Sequence, residues 1–351
     1  MPSEPTQGNS TGERPARVTI REVAELAGVS IATVSRVLNG RADVSDETRQ
    51  VVRQVARDRG YGPRRPQPAT TRGTGLIGVT MPFTHTSYFA AILSGAAEAL
   101  YERDMRAVLC PTRHEHEREV SLLDRLMHGE TDGAVLMQPE ESNDELRLLT
   151  GNGFSFVVVD PLYDLDEGIP VVSAAHASGA IQATHHLLEQ GHRRIGVITG
   201  PPNGIASRSR LQGYHAALAG AGLMPDPALE VCARDFVVPD GVVGANHLLA
   251  LPEPPTAIFA FSDSLAIGTF QAARARGLRL PADLSVVGFD DTRDASIVLP
   301  ALTTVRQPLA ELGRMAVTLL VQLLGRQSFE PLQVELATKL VIRESTAPLR
   351  H

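Results

Sequence analysis

Cysteine is scarce: two residues, Cys110 and Cys232, stand far apart in a chain of 351. That excludes a disulfide framework and leaves no metal-ligand spacing built on thiols, so both are expected as buried, reduced side chains. Long apolar runs are missing as well. None approaches the roughly 18 to 20 residues that a membrane span needs. The opening MPSEPTQGNS has no basic segment followed by an apolar one, so it lacks a secretory signal pattern. A soluble, cytoplasmic protein with no membrane partner is expected.

A net charge of -7 disfavours a nucleic-acid partner only if it is spread evenly, and it is not. Residues 1–72 hold 12 Arg against 8 Asp and Glu, net +4; residues 73–351 hold 20 Arg and one Lys against 32 acids, net -11. A basic head on an acidic body points to a polyanion at one end, because phosphate contacts supply the sequence-independent part of DNA affinity. At this length a single core stops growing, so two or three domains are expected.

Residues 1–17 are polar and rich in Pro, Gly, Ser and Thr, and read as a disordered tail. Residues 18–61 then pattern as three short helices. Thr19 with Glu22 forms a capping box for the first, which carries Val23, Ala24, Leu26 and Ala27 inward and ends at Gly28. Ser30 caps the second, with Val34, Val37 and Leu38 at helical spacing before Asn39-Gly40. Ser45 caps the third, with Val51, Val52, Val55 and Ala56 inward. Residues 62–75 form a linker in which Pro63, Pro66 and Pro68 oppose a regular helix.

From residue 76 to about 345, apolar runs typical of buried strands alternate with helical stretches: Leu76 to Val79, Ala107 to Leu109, Ala134 to Met137, Phe156 to Val159, then Ile195 to Ile198, Ala257 to Phe259 and Ser285 to Gly288. That alternation implies parallel sheets with helical crossovers. Ile77-Gly78-Val79 and Ile195-Gly196-Val197 read as one theme used twice, hence two α/β lobes. The chain is expected to pass between them near 160–163, 290–293 and 322–330. A ligand belongs in the cleft at the strand carboxyl ends.

In the second helix, inward Val34, Val37 and Leu38 turn Ile31, Ala32, Ser35 and Arg36 outward, as a recognition helix presents side chains to the major groove. Arg36 suits bidentate donation to guanine, and Ile31 and Ala32 suit a thymine methyl. Ser35 joins Thr19, Ser30, Thr33, Asn39, Ser45, Thr48 and Tyr61 as hydroxyl and amide groups suited to phosphate; several of these serve equally as helix caps.

The run VTIREVAELAGVSIATVSRVLNGRADVSDETRQVV resembles the headpiece of the LacI/GalR family of bacterial repressors. The resemblance continues through GHRRIGVITGPP, RSRLQGYHAAL, FSDSLAIG, DLSVVGFDDT and LTTVRQP, over residues 18 to about 345. It implies an N-terminal helix-turn-helix head, a hinge, and a two-lobed body like a periplasmic sugar-binding protein, acting as a homodimer on a near-palindromic operator. The family's hinge places a leucine in the minor groove; its place here falls at Thr70, which predicts weaker or different central kinking.

A sugar effector needs carboxylates for its hydroxyls, an Arg donor and an aromatic face. Asp160 and Asp290 follow strand runs, and Arg210 precedes Gly213-Tyr214 in a helix. The resemblance adds Ser262 and Phe236 as ligand-contact positions. Each has a plain alternative: Asp290 with Asp291 as a cap or lobe-bridging turn, Arg210 as a salt-bridge residue. Tyr88 and Phe89 either line the cleft or pack the core. His176, in an Ala175-His176 pair where relatives carry Asp-Asn or a near equivalent, is either a specificity residue or a satisfied histidine. Ser262 stands where a relative has a sugar-reading asparagine. Gly204 stands where the purine-responding branch carries an arginine, which favours a sugar or glycoside over a nucleobase.

No cofactor, metal or catalysis is expected. Gly73 to Gly78 spells the dinucleotide fingerprint but precedes a strand instead of following one. His114 and His116 read as a solvated helix face, and His185, His186 and His192 lack a fourth ligand. The helix Leu309 to Leu324 serves either dimerisation or lobe packing, and the RESTAPLRH ending carries no leucine heptad for a tetramer. The reading is a cytoplasmic, nucleoid-associated repressor of carbohydrate-use genes that leaves operator DNA when a small sugar binds. The alternatives are a co-repressor-dependent regulator answering a nucleobase or other metabolite, and a sugar-binding protein without regulatory role.

Overall fold

The computed structural model describes residues 19–38, 44–59, 73–84, 86–325 and 333–349. The tail at 1–17, Asn39, Tyr61 and most of the linker, Thr70 included, lie outside these residues. The chain divides into two units, Met1–Arg65 and Pro66–His351.

The first unit holds α1 (Ile20–Ala27), α2 (Ile31–Leu38) and α3 (Asp46–Asp58). Thr19 and Glu22 close both bonds of the capping box on α1, and left-handed Gly28 ends it with a φ of 67°, a conformation open to glycine. Ile20, Val23, Ala24, Val34, Val37, Val52 and Ala56 make the small core. Two inward expectations fail: Leu26 and Val51 are exposed. Val51 directly precedes core Val52 and Leu26 lies two positions past core Ala24, but 100° per residue turns each off the narrow stripe that three short helices can bury. The side chain of Leu38 lies outside the described residues.

The second unit runs β1 (Leu76–Met81), α4 (Ser87–Tyr101), β2 (Arg106–Pro111), α5 (His116–Arg125), β3 (Gly133–Met137), α6 (Asn143–Gly151), β4 (Ser155–Val159), β5 (Val171–Ala174), α7 (His176–Glu189), β6 (Ile195–Thr199), α8 (Ile205–Gly220), β7 (Glu230–Cys232), α9 (Val238–Leu249), β8 (Ala257–Ala260), α10 (Asp263–Ala275), β9 (Ser285–Asp290), α11 (Arg293–Ile297), β10 (Thr303–Arg306), α12 (Leu309–Leu324), β11 (Gln333–Leu336) and β12 (Lys339–Val341). Two sheets result, ordered β11-β5-β4-β3-β1-β2 and β12-β10-β9-β8-β6-β7. All pairings are parallel except β10 with β12. The identical order bears out one theme used twice. In each lobe it reverses beside the first strand, opening a crevice at the carboxyl edge between β1 and β3 and between β6 and β8.

The passages between lobes lie elsewhere than expected. β5 and β11 belong to the first sheet, and β10 and β12 to the second. The chain therefore crosses at 174–176, 306–309 and 336–339. The turn-rich segment after Asp160 resembles a lobe exit, but it returns as one further buried strand; β10 likewise extends the second sheet past 293. α12 packs in the first lobe against α4, where a Cβ at Gly95 or Gly313 would collide with the carbonyl oxygen of Ala310 or Ile92. Of its two expected roles, lobe packing is the one seen. Cys110 is buried, whereas Cys232 is exposed. Among the described residues no helix is long and apolar enough to cross a membrane.

Candidate functional site

In the head, α2 presents Arg36 fully outward, with Ile31 and Ala32 half-buried on the same side. Ser35 departs from expectation: it is 8% exposed, because it lies one step from buried Val34 around the helix. Ser30 Oγ accepts from Thr33 N at 3.1 Å and pairs with Thr33 Oγ1 at 2.9 Å. Ser45 Oγ accepts from Thr48 N at 3.3 Å and pairs with Thr48 Oγ1 at 2.8 Å. Each pair holds two hydroxyl hydrogens and uses one internally, so capping and donation to phosphate coexist. Thr19 Oγ1 is occupied by Glu22 N at 3.3 Å and keeps its hydroxyl hydrogen.

In the body, the site grows from the carboxyl edges of the strands. Gln138 follows β3 and Asp160 follows β4; Asp290 ends β9. All three have positive φ, at 48°, 50° and 117°. Non-glycine residues held there store strain of order 1 to 3 kcal/mol each, a cost found mainly at functional positions. Asp160 collects three donors: Tyr88 OH at 2.5 Å and Gln138 Nε2 at 3.1 Å on Oδ2, and His176 Nε2 at 2.8 Å on Oδ1. Arg210, 3% exposed, donates from Nη2 to His176 Nδ1 at 3.2 Å and from Nη1 to the Phe261 carbonyl. Its Nη2 stands 3.9 Å from Asp290 Oδ1, which accepts from Gln307 Nε2 at 2.6 Å. The guanidinium lies 3.9 Å from the Phe289 ring centroid and 5.7 Å from that of Phe236, within cation–π range.

Charge is nearly balanced across this floor. Burial alone would raise the Asp160 carboxyl, but His176, Tyr88 and Arg210 outweigh it and hold the group well below the usual carboxylate range. Burial raises Asp290 to about 7 against the pull of Arg210 and Gln307. Burial, with Asp290 nearby, also raises Asp263. Burial beside Asp160 raises the Tyr88 hydroxyl. One anion, one cation and acids inclined to hold protons suit a neutral polar ligand. Several buried polar atoms have no partner: Arg210 Nε and Gln307 Oε1 on the floor residues themselves, Ser207 Oγ three residues before Arg210 on α8, and Thr86 Oγ1 two residues before Tyr88. Such groups cost about 1 to 3 kcal/mol unless something bonds them.

The structure thus brings together Asp160, Arg210, Asp290, Tyr88, His176 and Phe236. It separates two. Phe89 is buried in the core of the first lobe, edge-on to Tyr88 at 5.2 Å. Ser262 is the N-cap of α10, accepting from Leu265 N at 3.2 Å. Asp291 is a structural ion-pair residue, 2.6 Å from Arg306 and 2.6 Å from Arg343. Gln138, Gln307 and Phe289 were not anticipated. Gln138 carries the signal that identified Asp160, a polar residue directly after a buried strand run. His114 is exposed and His116 half-buried, and they pair with Glu140 at 2.7 Å and Glu145 at 3.2 Å. His186 and His192 are buried and hydrogen-bonded to Thr346, Thr256 and Ser285. No metal-holding cluster occurs among the described residues.

Two family descriptions match the chain: "Bacterial regulatory proteins, lacI family" over residues 19–64 and "Periplasmic binding protein-like domain" over residues 184–346. The HTH-type transcriptional regulator CelR of Thermobifida fusca is 36% identical over 342 residues, 95% of this chain and 99% of that one. The HTH-type transcriptional repressor PurR of Actinobacillus pleuropneumoniae is 33% identical over 94% of this chain and 99% of its own. The ribose operon repressor of Haemophilus influenzae is 33% identical over 95% and 99%. Among solved structures, a CelR–cellobiose complex superposes with a TM-score of 0.76 at 34% identity, covering 94% of this chain and 100% of that one. A ribose-bound regulator from Enterococcus faecium reaches 0.70 at 25% identity over 78% of this chain and 100% of that one. With likeness of this extent running from head to body, the chain belongs to the lacI family of bacterial regulatory proteins, DNA-binding transcriptional regulators that join a helix-turn-helix head to a periplasmic-binding-protein-like body.

Proposed function

We propose that this regulator is a repressor of carbohydrate-use genes whose effector is a neutral sugar or glycoside, and that it binds without catalysing a reaction. One observation carries the effector class: Arg210 flanked by Asp160 and Asp290, under the Phe289 and Phe236 rings, with unpartnered buried donors and acceptors beside them. Carboxylates accept from vicinal hydroxyls, the guanidinium donates, and a ring covers the apolar face of a pyranose. A sugar phosphate brings two negative charges to a floor with one cation. The cellobiose and ribose complexes of similar regulators support the same class.

A head this small reads few bases, so two heads on half-sites about one helical turn apart are needed for useful specificity, and the working species is a homodimer in the cytoplasm. Arg36, Ile31 and Ala32 read bases; Thr19, Ser30, Thr33, Ser45 and Thr48 hold phosphates. The domain boundaries follow: head 18–61, linker 62–75 and sensing body from residue 76. The deciding experiment captures genomic fragments on purified protein, with and without a panel of mono- and disaccharides and nucleobases. A palindromic site released by one sugar is the expected result. Release by a nucleobase alone replaces the effector class, and no enriched sequence under any condition sinks the repressor reading.

A further inference from the structure

Two of the three passages between lobes carry a side chain that reaches the effector floor. His176 opens α7 directly after the first passage, and Gln307 lies in the second; they bind Asp160 and Asp290 respectively. The first passage is also tied to the third, through Ala175 N to Leu336 O at 2.9 Å and Thr338 Oγ1 to Ala175 O at 3.1 Å. His176 therefore sits where effector chemistry meets the hinge.

Its bonding also defines its chemical form. A guanidinium has only donors, so Arg210 Nη2 at 3.2 Å requires a lone pair on His176 Nδ1. The proton is then on Nε2, which donates to Asp160 Oδ1 at 2.8 Å. The neutral ring is a directional link: Arg210 of the second lobe donates into one edge, and the other edge donates to Asp160 of the first. Its side chain is 5% exposed, as is that of Asp160, so water does not compete for these bonds.

We propose that His176 is the positioning residue that converts occupancy of the cleft into movement of the lobes. A sugar hydroxyl that takes a donor from Arg210, or an acceptor position on Asp160, exchanges with a bond that holds His176. The first helical residue after the passage then shifts, and with it the three crossing segments bonded together there. In this role His176 makes little direct contact with the sugar. The proposal rests on the neutral-sugar reading for its trigger, but not for the latch itself.

Three measurements on the full chain test it. Calorimetric titration with cellobiose and with ribose reads sugar affinity for wild type, H176A and H176N. Operator binding with and without the same sugars reads the response, and sugar-free operator binding checks that each variant folds. Asparagine presents one donor and one acceptor as the neutral ring does, so H176N retains the link. Wild type and H176N are expected to change operator affinity about 5- to 150-fold on sugar binding. At saturating sugar, H176A is expected to change operator affinity less than about 2-fold. A loss of sugar affinity near 100-fold in H176A makes His176 a direct ligand contact and overturns the proposal. So does an unimpaired response.

Spin-label distances between Y101C in the first lobe and V243C in the second, with both native cysteines replaced by serine, read the latch without any sugar. A broadened or displaced distribution in H176A, restored in H176N, is expected; identical distributions overturn the latch. If wild type binds neither sugar, the effector is another compound, and the distance measurement still decides the latch.

Discussion

Each lobe buries two carboxyl groups within each other's field, and their surroundings differ. In the second lobe, Asp263 accepts from Thr304 OH at 2.5 Å, Thr292 N at 2.7 Å and Thr292 OH at 2.9 Å, and Asp290 has Gln307 and the Arg210 charge. In the first lobe, Glu119 accepts from Glu140 N at 3.0 Å but leaves Oε1 without a partner, and neither oxygen of Glu141 has one. The same strand order thus supports two uses of buried acid. The second lobe surrounds its pair with hydroxyl, amide and guanidinium donors; the first gives its pair one backbone donor and leaves three oxygens unpartnered, beside the charges of His114, His116 and Glu140.

The comparison breaks most severely at Arg210. R210A leaves the buried Asp290 without its cation and removes the donor to His176, which costs about 3 to 5 kcal/mol by the usual consequence of splitting a buried pair. Urea unfolding checks this, and sugar titration should show loss of response while operator binding persists. A variant as stable as wild type would mean that the floor is open to water and the pair contributes little.

Next in size is a pair of glycine variants that separates packing from recognition. A Cβ at Gly313 meets the Ile92 backbone, which has nowhere to move, so G313A should cost about 1 to 3 kcal/mol and pry α12 from α4. A Cβ at Gly200 meets the Phe236 ring, which can swing away. G200A should therefore leave stability nearly unchanged and weaken sugar binding by displacing the ring. If G200A instead destabilises as much as G313A, Phe236 is a core residue.

Much of this was legible because it is local. The capping box at Thr19 and Glu22, the caps at Ser30 and Ser45, and the polar residue ending a strand run at Asp160 are all set by neighbours within a few positions. What escaped notice depends on distant partners. β5, β10, β11 and β12 are short strands recognisable only once the sheet that receives them exists, which is why all three lobe passages were misplaced. Ser262 appeared at a ligand position by resemblance, while its local chemistry, three residues before Leu265 at a helix start, described a cap. His176 showed as an unusual residue, but its two partners are 16 and 34 positions away.

The acid pair of the first lobe gives a smaller, pH-dependent signature. Unfolded glutamates are ionised above about pH 5. In the folded lobe, burial raises Glu119 to about 7 and lifts Glu141 well above the usual carboxylate range. The folded state then binds more protons than the unfolded one, so these groups make stability fall as pH rises through that window. From pH 6.5 to 8 the buried His186 and His192, whose folded forms resist protonation, no longer mask the slope. The E119Q/E141Q variant should make it shallower, leaving the part due to Asp290, Asp263, His114 and His116, and gain about 1 to 2 kcal/mol over wild type at pH 8, since a tenfold change in proton affinity corresponds to about 1.4 kcal/mol. A parallel pH dependence in the two proteins would show that the pair is wetter than it looks.

The smallest effect compares one cap from each lobe. Ser142 closes a capping box on α6, and Ser262 caps α10 at the edge of the cleft. If both are caps alone, S142A and S262A should each cost about 1 kcal/mol in thermal unfolding, and neither should change sugar affinity by more than about 2-fold. The two differ in surroundings: Ser142 bonds Glu145 on α6, whereas Ser262 directly follows Phe261, whose carbonyl accepts from Arg210. A selective loss of sugar affinity in S262A would therefore restore Ser262 to the ligand set, because the shared capping role is subtracted by S142A.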